Sequence, residues 1–255
     1  MTLARPMRST PRRRTSRPAD EAGKRDRVTP DQIQHELSET AATLPIVSQL
    51  KELFTDRKMF DSMDDFESAG FRLIAHAPHK IMSGSHKRAP GYLFKKYNND
   101  KPGKKQIKNY MRRIEGARLL RSFIAEHGFQ HIEAPCKWLY ELPESFPERY
   151  LIVADKLDLL SDDATLRKYD RIREDQMREL ATVLYYFRGL NSWTKNLPFT
   201  EDGKIAFIDT ERWHRDKDYL RAIGDHLPSD RRDQAEEVFE ELHSKRARPF
   251  VSAFK

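Results

Sequence analysis

The sequence predicts an α+β protein. Three observations carry that prediction. Short runs rich in β-branched and aromatic residues cluster at 71–97 and 138–154. Two long stretches, about 105–127 and 172–188, repeat apolar residues every three or four positions, which is the helical period. A strand-turn-strand pattern follows at 197–209, with Asp202-Gly203 between apolar runs.

Residues 1–27 stand apart. They hold nine Lys/Arg and three acids and almost no large apolar side chains, so they cannot bury enough surface to offset ordering entropy; the reading is a disordered basic tail. Of the formal charge of +7, this tail carries +6 and the other 228 residues only +1. The body's bulk charge therefore gives no support to a nucleic-acid face, and any such binding would fall to residues 1–27.

Residues 28–69 read as an N-terminal helical segment. Thr29 is the expected N-cap and Pro30 the first helical residue, with one or two helices over 30–54 and Ile33, Leu37, Leu44, Ile46, Leu50 and Leu53 as candidate core. Strands are expected at 71–75, 80–84 and 91–97, with a polar turn over 83–88 and a loop at 98–103. In the helix over 105–127, Met111, Ile114, Ala117, Leu120 and Ile124 mark one face and Gly128 the stop. Strands at 138–140 and 150–154 precede the second helix, whose face is Met177, Leu180, Leu184 and Phe187. A polar loop, 189–196, leads into the strand-turn-strand, and the C-terminal part reads as helical, clearest at 231–245.

No run of eighteen apolar residues occurs, so no transmembrane helix is expected, and no apolar leader of Sec type begins the chain. Cys136 is the single cysteine, which excludes an internal disulfide. Its setting shows no activating base, and His76, His79, His86, His127 and His131 read as ordinary loop histidines without a clear third zinc ligand. No P-loop sequence is present. Trp193 and Trp213 flank the polar loop and the last strand, where core packing is the plainer role.

The order of strands, helix, strands, helix, polar loop and hairpin ending in Asp209 resembles the protein-kinase-like superfamily. Tyr92-Leu-Phe-Lys-Lys-Tyr97 is similar to the strand that carries the phosphate-holding lysine, with Lys95 in that position and Lys96 as runner-up. The resemblance makes Glu115 the helix partner of Lys95. It makes Tyr150–Leu157 the strand running into the hinge, with Ala154 as gatekeeper and the backbone of Asp155 to Leu157 along the adenine edge. Asn191 and Asn196 reproduce the catalytic-loop spacing, and Asp209 falls at the end of an apolar strand, so Asn196 and Asp209 become the magnesium ligands.

The resemblance implies a two-lobed fold with an N-lobe over about 70–154 and a reduced C-lobe over about 155–255. It implies ATP- and Mg²⁺-dependent phosphoryl transfer, with a protein as the acceptor. A pseudokinase that binds a nucleotide or partner without turnover is the alternative, and a nucleic-acid-associated protein acting through its tail is the second. Four departures mark a divergent member, similar to compact kinase-like bacterial effectors: Asn191 stands where the catalytic aspartate is expected, Thr210-Glu211 follows Asp209 in place of Phe-Gly, no glycine-rich G-x-G-x-x-G loop occurs, and only 46 residues follow Asp209. An amide at 191 would position an acceptor without acting as a strong base. Glu211 could serve as a second metal ligand or substitute base, an exposed charge being the plainer role. Either a cytoplasmic location or non-Sec export as an effector fits this reading.

Overall fold

The structure, a computed structural model, describes residues 28–60, 62–77, 81–97, 103–146, 148–190, 193–213 and 224–244. The basic tail and Asn191 lie outside the described residues.

Helix α1 (Pro30–Thr43) starts as its sequence dictates. Thr29 Oγ1 accepts from the Gln32 N–H and Gln32 Oε1 accepts from the Thr29 N–H, a closed capping box with proline at the first helical position. Helix α2 (Val47–Leu53), a single 3₁₀ turn (Arg57–Phe60) and helix α3 (Met63–Ser68) complete the N-terminal segment.

Five antiparallel strands then form one sheet: β1 (Phe71–Ala77), β2 (Ile81–His86), β3 (Ala89–Tyr97), β5 (Lys137–Glu141) and β6 (Tyr150–Asp155), in the order β1-β2-β3-β6-β5. The polar stretch 83–88 is mostly strand: Ser83–His86 belong to β2, and only Lys87-Arg88 turn. Ladder pairing with both neighbours outweighs the turn propensity of Ser83-Gly84-Ser85, and a Cβ on Gly84 would strike the Phe66 ring.

Each face of this sheet buries a different layer. On one face Leu50, Phe54, Phe60 and Phe66 from the N-terminal segment pack on Phe71, Phe94 and Val153. The other face presents Tyr97, Leu139, Ile152 and Ala154 to Tyr110 and Ile114 of helix α4 (Gly103–His127). The period of two in β3 therefore decides which lysine faces where, because Lys95 and Lys96 point to opposite layers.

Helix α4 also joins the second core. Its Leu120 and Phe123 pack with Met177, Leu180 and Leu184 of helix α6 (Glu174–Tyr186), and with Ala235 and Val238 of helix α7 (Ser229–Ser244). Gly128, at φ +65°, ends α4 where the sequence placed the stop. Helix α5 (Asp162–Tyr169), capped by Ser161, was not foreseen; Ser161-Asp-Asp-Ala164 is the start signal that marks it.

The expected hairpin over 197–209 is only partly one. Its turn is real: Thr200 N–H donates to Lys204 O at 2.8 Å and Gly203 sits at φ +87°. Phe199 and Ile205 form a single antiparallel bridge, but the strand β7 (Ile205–Ala206) pairs in parallel with β4 (Ile132–Glu133). The segment thus inserts beneath the end of α4, which carries residues 209–211 to the sheet.

Candidate functional site

Four chain segments converge between the sheet and α4. Strand β3 supplies Lys95 and Tyr97, β5 supplies Lys137, α4 supplies Arg113, and the segment after β7 supplies Asp209, Thr210 and Glu211. The two lysines share a face through the register: Lys95 lies opposite Ile152, Ile152 opposite Leu139, and Lys137 opposite Ala154. Lys96 points the other way, into an ion pair with Glu148 at 2.6 Å, so Lys95 is the strand lysine that faces α4.

Arg113 organises the carboxylates. Its Nη1 lies 3.2 Å from Asp209 Oδ1 and its Nη2 2.6 Å from Glu211 Oε2. Its Nε donates to the Tyr97 hydroxyl at 3.0 Å, and that hydroxyl donates to Glu211 Oε2 at 3.0 Å. Burial lifts the Tyr97 phenol to about 12, so it stays a donor. Thr210 locks the segment down: its hydroxyl donates to Arg113 O at 2.6 Å and accepts from Lys137 Nζ at 2.8 Å. Gly116 permits this approach, because a Cβ there would collide with Thr210 O and stand 2.5 Å from Trp213 Cδ1.

The electrostatics are cation-rich. Burial pulls the Lys95 ammonium down to about 8, and Arg113 pushes the same way against Asp209. Burial holds Lys137 well below its usual range too, with Lys95 and Arg113 adding to it and Asp209 opposing. Burial would raise the Asp209 carboxyl, yet Arg113, Lys137 and Lys95 outweigh it and hold it below the usual range. Among the described residues, no side-chain hydrogen bond ties up the Lys95 amine. The cluster thus sets three basic side chains against two carboxylates, with burial opposing the charge on both lysines.

Glu115 is not brought to this cluster. It is exposed on α4, and its charged neighbours are Arg118, Arg112 and Glu36. Two residues along a helix turn the side chain by about 200°, so Arg113 facing inward sends Glu115 outward.

Of the residues expected along a hinge, Ala154 shares the face of Lys95 and Asp155 points the other way, toward Tyr92. Ala154 is buried opposite Leu93, two residues from Lys95. Strand β6 ends at Asp155, whose N–H donates to Cys136 O at 3.1 Å and whose Oδ2 accepts from the Cys136 N–H at 3.0 Å. The Lys156 N–H donates to Gly91 O at 2.9 Å, and Leu157 follows, partly exposed. Burial and Asp155 push the Cys136 thiol up, away from a reactive thiolate.

Asn196 closes the one-turn helix Thr194–Asn196. Its carbonyl accepts from the Ile208 N–H at 3.2 Å, and the Ile208 carbonyl accepts from Lys137 Nζ at 3.2 Å. The loop carrying Asn196 is thus joined by backbone to the segment carrying Asp209. Lys137, Arg113, Tyr97 and Thr210 were missed by sequence reasoning. For Lys137 a signal existed: Lys137-Trp-Leu-Tyr140 alternates, so Lys137 shares the face of the buried Leu139.

Among the described residues, no three His, Cys, Asp or Glu side chains gather as a metal site, and no helix is long and apolar enough to cross a membrane. Two of the histidines have local partners: His131 Nε2 pairs with Asp175 Oδ2 at 2.9 Å, and His127 Nδ1 meets Phe123 O at 3.0 Å; His79 lies outside the described residues.

No family model and no curated protein matches the chain. Among solved structures, a MAP kinase from Leishmania major is similar at 14% identity and a TM-score of 0.30, the match covering 62% of this chain and 51% of that one. Rv3197 from Mycobacterium tuberculosis, in complex with erythromycin, is similar at 14% identity and a TM-score of 0.32, over 75% of this chain and 57% of that one. The chain thus spans little more than half the length of these two structures.

Proposed function

We propose that this chain is a divergent protein-kinase-like protein that binds a nucleoside triphosphate at the cluster of Lys95, Lys137 and Asp209. The phosphates would meet Lys95 and Lys137, and the base would lie along Ala154, Asp155 and Leu157. One observation carries this reading: two lysines from one sheet face converge, Lys137 buried and Lys95 partly so, with Asp209 beside them. A cation held on a strand is what phosphate recognition requires. Calorimetric titration of ATP tests it. Wild type should bind, and Lys95→Met should lose at least about tenfold in affinity, the equivalent of one charge-assisted contact. Equal affinity of the two proteins would refute the placement.

The binding-module form of this reading is the one the geometry favours, because Arg113 holds both Asp209 and Glu211. The second reading is ATP- and Mg²⁺-dependent phosphoryl transfer to a protein, with Asn196 and Asp209 on the metal and Asn191 positioning the acceptor. The Asn196–Ile208 hydrogen bond favours it, since it sets the loop beside the Asp209 segment. Label transfer from ATP, rising in Asn191→Asp and absent in Asp209→Ala, would establish transfer. Binding without any label transfer in either protein would leave the module.

A further inference from the structure

The residues at Asp209 do not fit a magnesium ion as they are built. Magnesium is held through one or two carboxylates in near-octahedral oxygen geometry, together with phosphates and water. Here both carboxylates are already neutralised by one guanidinium, at 3.2 Å to Asp209 and 2.6 Å to Glu211. That guanidinium is no loose surface group. Its side chain is 11% exposed, and its Nε is committed to Tyr97, whose hydroxyl also holds Glu211. The backbone of the same residue is pinned by Thr210, which in turn is held by Lys137. A metal entering between Asp209 and Glu211 would have to expel a buried cation from three partners at once.

We infer that Arg113 takes the place of the metal, so that the Lys95–Lys137–Arg113 cluster accepts the phosphates of a nucleoside triphosphate without a divalent cation. This rests on the nucleotide-binding reading and specifies the form of the ligand. Three basic side chains, one each from β3, β5 and α4, face two carboxylates from one segment. The surplus of basic groups matches an anion that brings its own negative charge unshielded. Magnesium bound to a triphosphate would cancel part of the charge that the lysines attract and would meet the inward guanidinium. The depressed proton affinities of Lys95 and Lys137 are consistent with this, because an arriving anion would relieve them.

The test uses the full chain and two probes, ATP and inorganic tripolyphosphate, each titrated calorimetrically in EDTA and in excess magnesium. The expected result is that both probes bind in EDTA, with ATP binding there at least as tightly as in magnesium. Arg113→Gln, checked for folding by circular dichroism, should weaken binding in EDTA by about tenfold and shift the preference toward magnesium. ATP that binds only in magnesium would overturn the inference and leave the nucleotide reading standing. Tripolyphosphate that binds in EDTA while ATP binds in neither buffer would keep the metal-free anion site and remove the nucleotide. Absence of binding by both probes in EDTA would overturn the inference whatever magnesium does. The wild-type measurements decide it even if Arg113→Gln fails to fold.

Discussion

Arg113 Nη2 and Glu211 Oε2 stand 2.6 Å apart, joining the middle of α4 to the segment that leaves β7. The pair is separated by 98 positions in sequence and is braced on both sides by the Tyr97 hydroxyl. It fixes the height at which Asp209 sits under the sheet, and so connects the two cores through something more directional than apolar packing.

Removing the cation from this arrangement should cost more than removing the phenol. Arg113→Met would leave Asp209 and Glu211 without their partner. Their side chains remain 27% and 20% exposed, so water compensates in part, and a loss of about 2–3 kcal/mol is expected. Tyr97→Phe removes hydrogen bonds only and should cost about 1 kcal/mol. Urea unfolding of both variants orders the two; a larger loss for Tyr97→Phe would mean that the guanidinium is not the organising group.

On the opposite face of the sheet, Lys96 and Glu148 form an ion pair in which each side chain is 4% exposed. Lys96 Nζ also donates to Phe60 O at 3.3 Å and lies 4.9 Å from the Phe60 ring centroid. Breaking such a pair strands a buried charge. Lys96→Met should destabilise the fold by about 3–5 kcal/mol, whereas Lys96→Met combined with Glu148→Leu should recover most of that. Unfolding midpoints that fall further in the double variant would refute this account.

Gly116 offers a purely steric test. A methyl group there meets the Thr210 carbonyl and the Trp213 ring, neither of which is the free end of a flexible chain. Gly116→Ala gains helix propensity of about 1 kcal/mol but should lose more to overpacking, for a net destabilisation of about 1–2 kcal/mol. The same variant should weaken ATP binding, since it forces the 209–213 segment away from α4. A variant more stable than wild type would show that the segment can shift freely.

The parts of this arrangement that could be read in the sequence are those with a local signature. Thr29-Pro30 and Gly128 announced helix ends because caps act within one turn. The apolar run Ile205–Ile208 signalled a strand, though it ends at Ala206 and leaves Asp209 three residues beyond it, and Tyr92–Tyr97 placed a lysine on a strand. The choice between Lys95 and Lys96 needed the second layer, because a period of two says that they face opposite ways and not which way is the cleft. The resemblance makes Glu115 the helix partner, but helical phase turns Arg113 inward instead; the cores on either side of α4 set that phase, through Tyr110, Ile114 and Leu120. The parallel pairing of β7 with β4 joins residues 73 positions apart, and nothing local encodes it.

At Lys95 burial opposes the charge that an anion would use. In the unfolded chain its amine titrates near 10.5, and in the fold burial brings it to about 8, with Arg113 adding to the effect and Asp209 opposing it. Lys137 is the other lysine of the cluster and, also held low by burial, adds to the same trend. Between pH 8 and 10.5 the unfolded state therefore holds more protons at this site than the folded state, and stability rises with pH across that window. Below pH 8 the penalty is present in full. Because Lys95 keeps some contact with water, the penalty is discounted to about 1–3 kcal/mol. Lys95→Met should consequently be more stable than wild type at pH 7, and its advantage should shrink as the pH rises toward 10.5. Tyr97 opposes this at the alkaline end. Its phenol is held to about 12, so the unfolded state loses that proton first and stability falls above pH 10. Wild type should then show a stability maximum near about pH 10 that flattens in Lys95→Met, read from urea midpoints at half-unit intervals. If Lys95→Met is less stable at pH 7, the amine is a supporting group rather than a charge kept at a cost for an anion to use.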